Sequence, residues 1–274
     1  MTTPIRKLVL CADDFGQSEQ ISLGIIELIT SRRLTATSVM TEAPYWPLGA
    51  AQLSKVHKLA DIGLHINLTH EFKGSETKQP LAYWLLLSQL KLLSRKKLTQ
   101  KICHQIDLFT KYFGRLPDFI DGHQHLHAFP VIRDALTDAI AARWPQGGAL
   151  PWVRAPERLI DNGDVTLKAA VLRFACRGFS EHLHAKGLTS TAHFGGLYSL
   201  STYGNFSGLF KHWLHTAPHG TVIMCHPGRE TSDHDDPIDA IRPLEYDYLA
   251  SPEFAEECRL AVVELARYSQ IAAE

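Results

Sequence analysis

Short apolar runs alternate with longer amphipathic segments along most of the chain. A run of about four to eight apolar residues predicts a buried strand, whereas apolar residues that recur every three or four positions predict a helix. The predicted strands are 8–12, 36–40, 62–68, one ending at Ile120, a short one at 153–154, and 221–225. The predicted helices are 21–29 after the cap Ser18, 48–59, 99–113, 131–142, 165–176, and 252–268 after the cap Ser251. This alternation indicates an α/β fold with a parallel sheet, open or closed.

One segment, 72–98, does not follow this alternation of strand and helix patterns. It contains LAYWLLLSQLKLLSRKKL, which is apolar on one side and basic at its end. A lid, a dimer contact and a surface that meets lipid are open roles for it. We expect the simpler alternative, an ordinary helix with a core-facing stripe and a solvated basic end. Because neither a linker nor a repeat is visible, we predict one domain, 1–274, with a variable insertion around 72–98.

Composition narrows the class of protein. The formal net charge of −1 does not call for a nucleic-acid partner. The five cysteines are dispersed and form no CxxC pair, which favours buried thiols in a reducing compartment over disulfides or a zinc finger. We expect neither a signal peptide nor the roughly 18–20 apolar residues of a membrane span. We therefore expect a cytoplasmic protein and leave a homo-oligomer open.

Polar residues stand at or near five predicted strand ends. They are Asp13 and Asp14, then His65, then Asp121 with His123, His125 and His127, then Arg154, and finally His226. The carboxyl ends of parallel strands lie on one side of the sheet and carry the active site in such folds. We therefore expect these side chains to gather on one rim. The acidic run 230–239 after His226 is expected to be a solvated loop.

The residue types at this rim suit a metal site. One carboxylate and two neutral imidazoles can bind a divalent ion and leave positions for water, and Asp14, His65 and His123 offer such a set. The spacing of His123, His125 and His127 permits several pairs of histidine ligands and does not decide among them. Two adjacent carboxylates repel each other, and a cation removes that cost. If the ion takes one aspartate, the other remains as a base for hydrolysis by an activated water.

Four motifs resemble, in order, those of the YdjC-like carbohydrate deacetylases: ADDFG, GLHINLT, IDGHQHLHAFP and VIMCHPG. That family includes chitooligosaccharide deacetylases and the deacetylase associated with hopanoid biosynthesis. The resemblance spans residues 5–268. It implies a single-domain (β/α) barrel-like fold that is distantly similar to polysaccharide deacetylases.

The resemblance also implies roles for single residues. The implied catalytic residues are Asp13 as base and His226 as the acid that protonates the leaving amine; the implied metal ligands are Asp14, His65 and His123. We assign substrate binding to His125, His127 and Arg154, which could instead hold their neighbours in place.

The implied activity is metal-dependent hydrolysis of an N-acetyl group from an amino sugar, with release of acetate. The substrate is an N-acetylated oligosaccharide, another sugar conjugate or a glycolipid. The cofactor is one divalent ion, Mg²⁺ or Zn²⁺, with Mn²⁺ and Co²⁺ as alternatives. Two other functions stay open. A metal-dependent phosphoesterase on a β/α barrel would carry more carboxylates, and a non-catalytic metal- or carbohydrate-binding protein would need neither the base nor the acid.

Overall fold

Parallel strands form the centre of the molecule in the computed structural model, which describes residues 4–72, 78–202, 204–230 and 236–272. The strands are β1 (Arg6–Phe15), β2 (Ala36–Val39), β3 (Asp61–Ile66), β4 (Phe119–Gly122), β5 (Trp152–Val153), β6 (Phe194–Gly195), β7 (Val222–Cys225) and β8 (Val263–Leu265). Their order in the sheet is β5-β4-β3-β2-β1-β7-β6, and β8 pairs with the start of β1. Every described strand pair is parallel, which confirms the predicted α/β fold.

Helices follow most of the strands. They are α1 (Glu19–Thr30), α2 (Trp46–Leu53), α3 (Leu81–Gln89), α4 (Arg95–Phe113), α5 (Ile132–Arg143), α6 (Thr166–Cys176), α7 (Phe179–His184), α8 (Phe206–Thr216), α9 (Arg242–Ala250), α10 (Pro252–Leu260) and α11 (Tyr268–Ile271). A 3₁₀ helix, His123–Ala128, follows β4 directly. The predicted cap Ser18 accepts a hydrogen bond from the backbone N–H of Ile21 at 3.3 Å.

The sheet curls until its outer strands approach each other. Isolated parallel bridges join Val153 of β5 to Ser190 and Leu159 to Phe194 of β6. The gap between β5 and β6 is thus spanned by irregular chain rather than by a regular ladder. This curled, half-closed sheet confirms the barrel-like fold predicted from the sequence.

Alternate residues of the strands belong to two separate cores. Leu8, Leu10 and Ala12 of β1 pack in the main hydrophobic cluster with the helices. Val9 and Cys11 pack instead in a small cluster with the other inward-facing side chains, Ala36, Phe119, Trp152 and Val222. Because side chains alternate along a strand, the inner row continues from Val9 and Cys11 towards Asp13. The apolar interior therefore ends in polar residues at the carboxyl ends of the strands.

The chain end differs from the predicted helix over 252–268. Ser251 caps α10 as predicted, but the helix ends at Leu260. Val262 has a left-handed φ of 55°, and Val263–Leu265 then pair with β1 as β8. The helical pattern of 261–268 yields to the backbone hydrogen bonds that Arg6–Leu8 of β1 offer. The predicted helix 48–59 is also too long, because α2 ends at Leu53.

The segment 72–98 contains α3 and the start of α4, and its residues 73–77 lie outside the described residues. The expected core-facing stripe is poorly developed, because Ser88 is the one residue of α3 that is buried. Trp84 and Leu85 are partly buried against the main core. Among the described helices, none has the length and hydrophobicity to cross a membrane.

Candidate metal centre

The end of β1 departs from regular strand geometry at its two aspartates. Neighbouring side chains of a regular strand point to opposite faces. The register between β1 and β2 shifts between Ala12 and Phe15, and Asp14 has a left-handed φ of 69°. This bulge brings Asp13 and Asp14 to the wall of the same cavity. A non-glycine residue in this conformation costs about 1–3 kcal/mol, which the pairs described below must offset.

His65 of β3 lies beside Asp121 of β4 in the sheet. Its Nδ1 is 2.7 Å from Asp121 Oδ1 and 3.0 Å from Ser38 Oγ, while its Nε2 is 3.3 Å from Asp14 Oδ1. A carboxylate on one ring nitrogen orients the other nitrogen, as it does in metal-binding histidines. Burial alone lowers the pKa of His65, but Asp121 and Asp13 outweigh it and raise that pKa to about 10. The carboxylates around His65 thus stabilise a positive charge at this position.

His123 begins the 3₁₀ helix that follows β4. Its Nδ1 is 3.2 Å from Asp14 Oδ1, and its ring meets that of His65 edge to face at a centroid distance of 5.6 Å. One oxygen of Asp14 therefore lies against both imidazoles. The three side chains offer ligand atoms that lie within 4.8 Å of one another.

These residues fit a divalent cation. Ligands at about 2.0–2.2 Å from one ion, at the angles of tetrahedral or octahedral geometry, lie roughly 2.8–3.6 Å apart. The separations of 3.2 and 3.3 Å from Asp14 Oδ1 to the two imidazole nitrogens agree with this range. A set of one carboxylate and two imidazoles suits several first-row divalent metals. Asp14, His65 and His123, which the sequence singles out, are thus brought together.

A second cluster of Cys11, Asp13 and Asp121 already surrounds a cation of the protein itself. Nη2 of Arg154 is 2.6 Å from Asp13 Oδ1, 2.6 Å from Asp121 Oδ2 and 3.1 Å from Cys11 Sγ. The Arg154 side chain is fully buried. A buried guanidinium needs such partners, because an unpaired charge in the interior is strongly unfavourable. This cluster is therefore an ion-pair network rather than a second metal site.

Arg154 holds Asp13 through both carboxylate oxygens. Its Nη1 and Nη2 donate to Oδ2 and Oδ1 at 2.7 and 2.6 Å. Burial alone would raise the pKa of Asp13, but the guanidinium holds it well below its ordinary value. The described lining of the cavity includes Asp13 but not Arg154. The structure thus places Arg154 behind Asp13, where it holds a neighbouring side chain in place.

Arg242 holds the second oxygen of Asp14. Its Nη2 donates to Asp14 Oδ2 at 2.9 Å, and its Nε donates to Asp236. Burial alone would raise the pKa of Asp14, but Arg242, with His123 and His65, holds it well below its ordinary value. Asp14 is thus ionised, and its Oδ1 remains directed at the two imidazoles. Asp236, expected in a solvated loop, is buried in this pair, while 231–235 lie outside the described residues.

His226 follows β7 and lines the same cavity. Its backbone N–H donates to Glu245, which also accepts the hydroxyl of Tyr198. Burial lowers the pKa of His226 to about 4, although Asp14 and Asp13 oppose the shift. The imidazole is therefore neutral at neutral pH, whereas the sequence-based mechanism assumed a protonated ring. Burial raises the pKa of Glu245 to about 7, against the two hydrogen bonds it accepts.

The two remaining histidines of the cluster occupy different places. His125 lines the cavity, packs against Phe194, and has no hydrogen-bond partner at Nδ1 within the described residues. His127 is fully buried and is absent from the described cavity lining. Its Nε2 lies 2.8 Å from the backbone oxygen of Arg154. Its buried ring thus lies against the backbone of Arg154, away from the described cavity lining.

The cavity itself has a volume of about 250 Å³ and two kinds of wall. Polar residues surround the ligand set, and among them Gln17, His70, Lys168 and Arg242 were not identified from the sequence. No sequence signal marks Arg242, which lies 228 positions from Asp14, or Glu245, which lies 47 positions from Tyr198. The opposite wall is apolar and comes largely from α3 and α6, through Leu81, Leu85, Val171, Leu172 and Ala175.

The family model for YdjC-like proteins matches residues 7–259. The chain belongs to the YdjC-like family. This YdjC-like chain is similar in fold to a protein of Enterococcus faecalis V583 that is provisionally described as a cellobiose-phosphate cleavage protein. The two share 19% identity over 97% of this chain and 99% of that chain, with a TM-score of 0.69.

A second structure similar to the YdjC-like chain is the peptidoglycan N-acetylglucosamine deacetylase Bc1960, with 11% identity, coverage of 97% and 87%, and a TM-score of 0.52. At these identities the likeness shows a shared fold.

Proposed function

We propose that the protein is a metal-dependent carbohydrate deacetylase that hydrolyses the N-acetyl group of an amino sugar. The observation that carries the proposal is the meeting of Asp14, His65 and His123 around one point, on a cavity that also contains Asp13 and His226. Membership of the YdjC-like family and a fold shared with a peptidoglycan deacetylase support it. A divalent cation at this centre would polarise the acetyl carbonyl and lower the pKa of water.

Asp13 acts as the base in this proposal. Arg154 keeps it ionised, and Oδ2, whose one described hydrogen bond comes from Arg154 Nη1, retains a second lone pair that can accept a proton from the attacking water. The water oxygen adds to the acetyl carbon while its proton moves to Asp13. A positioned base of this kind contributes about 10²–10⁴-fold to the rate.

His226 acts as the acid, but it begins neutral. It takes a proton from solvent during turnover, when negative charge develops on the substrate and raises its proton affinity. It then gives that proton to the nitrogen as the C–N bond breaks, because an amide nitrogen does not leave as an anion. Asp13 returns the proton of the attacking water to solvent after acetate leaves. The products are acetate and a free amine.

Several finer assignments belong to this proposal. Nδ1 of His125 is available to a sugar hydroxyl on the cavity wall. Mg²⁺ or Zn²⁺ is the proposed ion, with Mn²⁺ and Co²⁺ as alternatives. The five free cysteines support a reducing compartment, and we place the protein in the cytoplasm. Because the described strands share one sheet, we assign 1–274 to one domain.

The test is an acetate-release screen over N-acetylated monosaccharides, chitooligosaccharides and glycolipids, run after chelation and after addition of each metal. We expect acetate from at least one class, only with metal present. Phosphate release from sugar phosphates without acetate release would assign a phosphoesterase instead. Sugar binding by the metal-loaded protein with neither product would assign a binding protein. Either result would overturn the proposal.

A further inference from the structure

The helix α3 exposes apolar side chains that the rest of the described chain leaves uncovered. Its sequence, LAYWLLLSQ, is apolar almost all round, yet it buries only Ser88. A helix of this composition normally lies inside a protein or against a nonpolar medium. Leu86 retains 59% of its surface, and Leu90 and Leu92 beyond the helix retain 56% and 67%.

The neighbouring helix α6 extends the same surface. Leu167, Val171 and Phe174 recur at helical spacing and are exposed by 79%, 43% and 54%. Side chains from both helices line one groove, and Gln89 of α3 donates to the backbone oxygen of Ala175 at 3.2 Å. We name the surface the α3–α6 patch and define it by its exposed residues: Leu81, Tyr83, Leu86, Leu90, Leu92, Leu167, Val171 and Phe174.

The two sequence ranges that form the patch are basic. Residues 78–106 contain six Lys or Arg and no Asp or Glu, and residues 165–180 contain three and none, although the whole chain has a net charge of −1. Lys78 and Arg95 pair with Glu42 and Asp138 from elsewhere in the chain, so the charge of the patch rests on the other basic residues. Lys91 stands between Leu90 and Leu92 and is exposed, as are Lys96 and Lys97. Arg177 lies over the Phe174 ring at 4.8 Å. Apolar side chains flanked by Lys and Arg are typical of helices that lie in the surface of an anionic bilayer.

The patch also continues into the cavity. Leu85 and Val171 line both the surface groove and the cavity of the metal centre. A ligand that covers the α3–α6 patch would therefore also lie next to the cavity.

We propose that the α3–α6 patch seats the protein on the surface of an anionic lipid bilayer, without crossing it. A second copy of the chain is a poorer occupant. In a two-fold symmetric dimer the same patch meets itself, so that the basic residues around it would face like charges. An anionic bilayer offers the opposite charge together with a nonpolar layer, and it requires no matching shape.

The test is co-sedimentation of the full chain with vesicles of phosphatidylcholine alone or mixed with phosphatidylglycerol. We expect binding to the mixed vesicles that weakens as salt increases. The double variant Leu86→Ser with Phe174→Ser should bind at least about tenfold more weakly, because apolar burial supplies much of the affinity. The charge variant Lys96→Glu with Lys97→Glu should also weaken binding. Neither pair lines the catalytic cavity in the described structure.

Two matched controls lie elsewhere on the surface. Leu48→Ser with Leu260→Ser removes two leucines that are 67% and 52% exposed on α2 and α10, and Lys55→Glu with Lys58→Glu makes the same change in net charge at two exposed lysines. Both controls should bind like the unmodified protein, and unchanged thermal unfolding should show that every variant is folded. Absence of binding by the unmodified protein, or equal losses in the controls, would overturn the proposal. So would a dimer that the patch variants dissociate, with no affinity for vesicles.

Discussion

Asp13 and Asp14 are neighbours in the chain, yet each is held by a different buried arginine. Arg154 takes both oxygens of Asp13, whereas Arg242 takes Oδ2 of Asp14 and leaves Oδ1 beside the two imidazoles. The bulge at the end of β1 allows this arrangement, because it lets two adjacent side chains line the same cavity. Two equal carboxylates thereby acquire unequal environments.

Replacing Asp13 by Asn distinguishes its proposed role as base from the proposed role of Asp14 as metal ligand. The amide can still accept a hydrogen bond from Arg154, but it cannot take a proton, so we expect kcat to fall by about 10²–10⁴-fold. Metal affinity, measured by titration calorimetry, should change little, because the three ligands remain. The surface variant Asp107→Asn is the control and should retain both properties. Near-normal turnover of the Asp13 variant would remove it as the base.

The pKa of His226 sets the expected pH dependence. A pKa lowered to about 4 means that the ring is protonated only below that pH and is neutral above it. The ring is already neutral between about pH 5 and 8. If turnover starts from the neutral ring, loss of a proton from His226 should therefore not lower kcat/KM in this range. The pH profile of kcat/KM for the unmodified protein and for His226→Asn checks this. A descending limb in this range that disappears in the variant would show that the acid must start protonated.

At the scale of elements, segments that bury one regular face were predicted better than segments whose structure depends on a neighbouring strand. The cap Ser18 and the helices α1, α4 and α5 follow from local pattern, because each buries one regular face. The short strand predicted at 153–154 is present as β5, Trp152–Val153, whereas the two-residue strand β6 was not predicted and exists through pairing with β7. The same reason explains why 263–265 form a strand rather than the end of a helix.

Gly196, which follows β6, tests how tightly the strand ends are packed. Its φ is +93°, and a Cβ there would lie 2.2 Å from the backbone oxygen of Met224. We expect Gly196→Ala to lower the free energy of unfolding by roughly 2–5 kcal/mol, from backbone strain plus this clash. Gly147 also has a positive φ, of +77°, but nothing lies within 4 Å of its Cβ position.

The Gly147→Ala control should therefore cost only the strain, roughly 1–2 kcal/mol. Urea unfolding of both variants measures the difference. Equal costs would show that the backbone at β7 yields to the added methyl group.

At the scale of the whole molecule, the proposed metal site joins distant parts of the sheet. Asp14 belongs to β1, His65 to β3, and His123 follows β4, while β2 lies between the first two strands. These three side chains come together only when the chain is folded, so the unfolded chain does not offer the same site to an ion. Binding should therefore stabilise the fold as well as enable catalysis.

Thermal unfolding with and without metal checks this coupling. At a free metal concentration about 100 times Kd, the folded state should gain about 2.7 kcal/mol, and Tm should rise. Asp14→Ala should lose the shift, whereas Asp13→Asn should keep it. An unchanged shift in Asp14→Ala would place the ion elsewhere.

The amino-acid sequence alone determined the order of the main strands and helices, the parallel α/β fold and the residues that gather at the candidate metal centre. These follow from local periodicity and from the rule that parallel strands end on one side. Only the tertiary structure decided how those residues are held. Arg154 reaches Asp13 across 141 positions and Arg242 reaches Asp14 across 228, and no local pattern encodes such pairs. The folded chain likewise decided that α3 lies at the surface, because burial depends on which neighbours arrive to cover a helix.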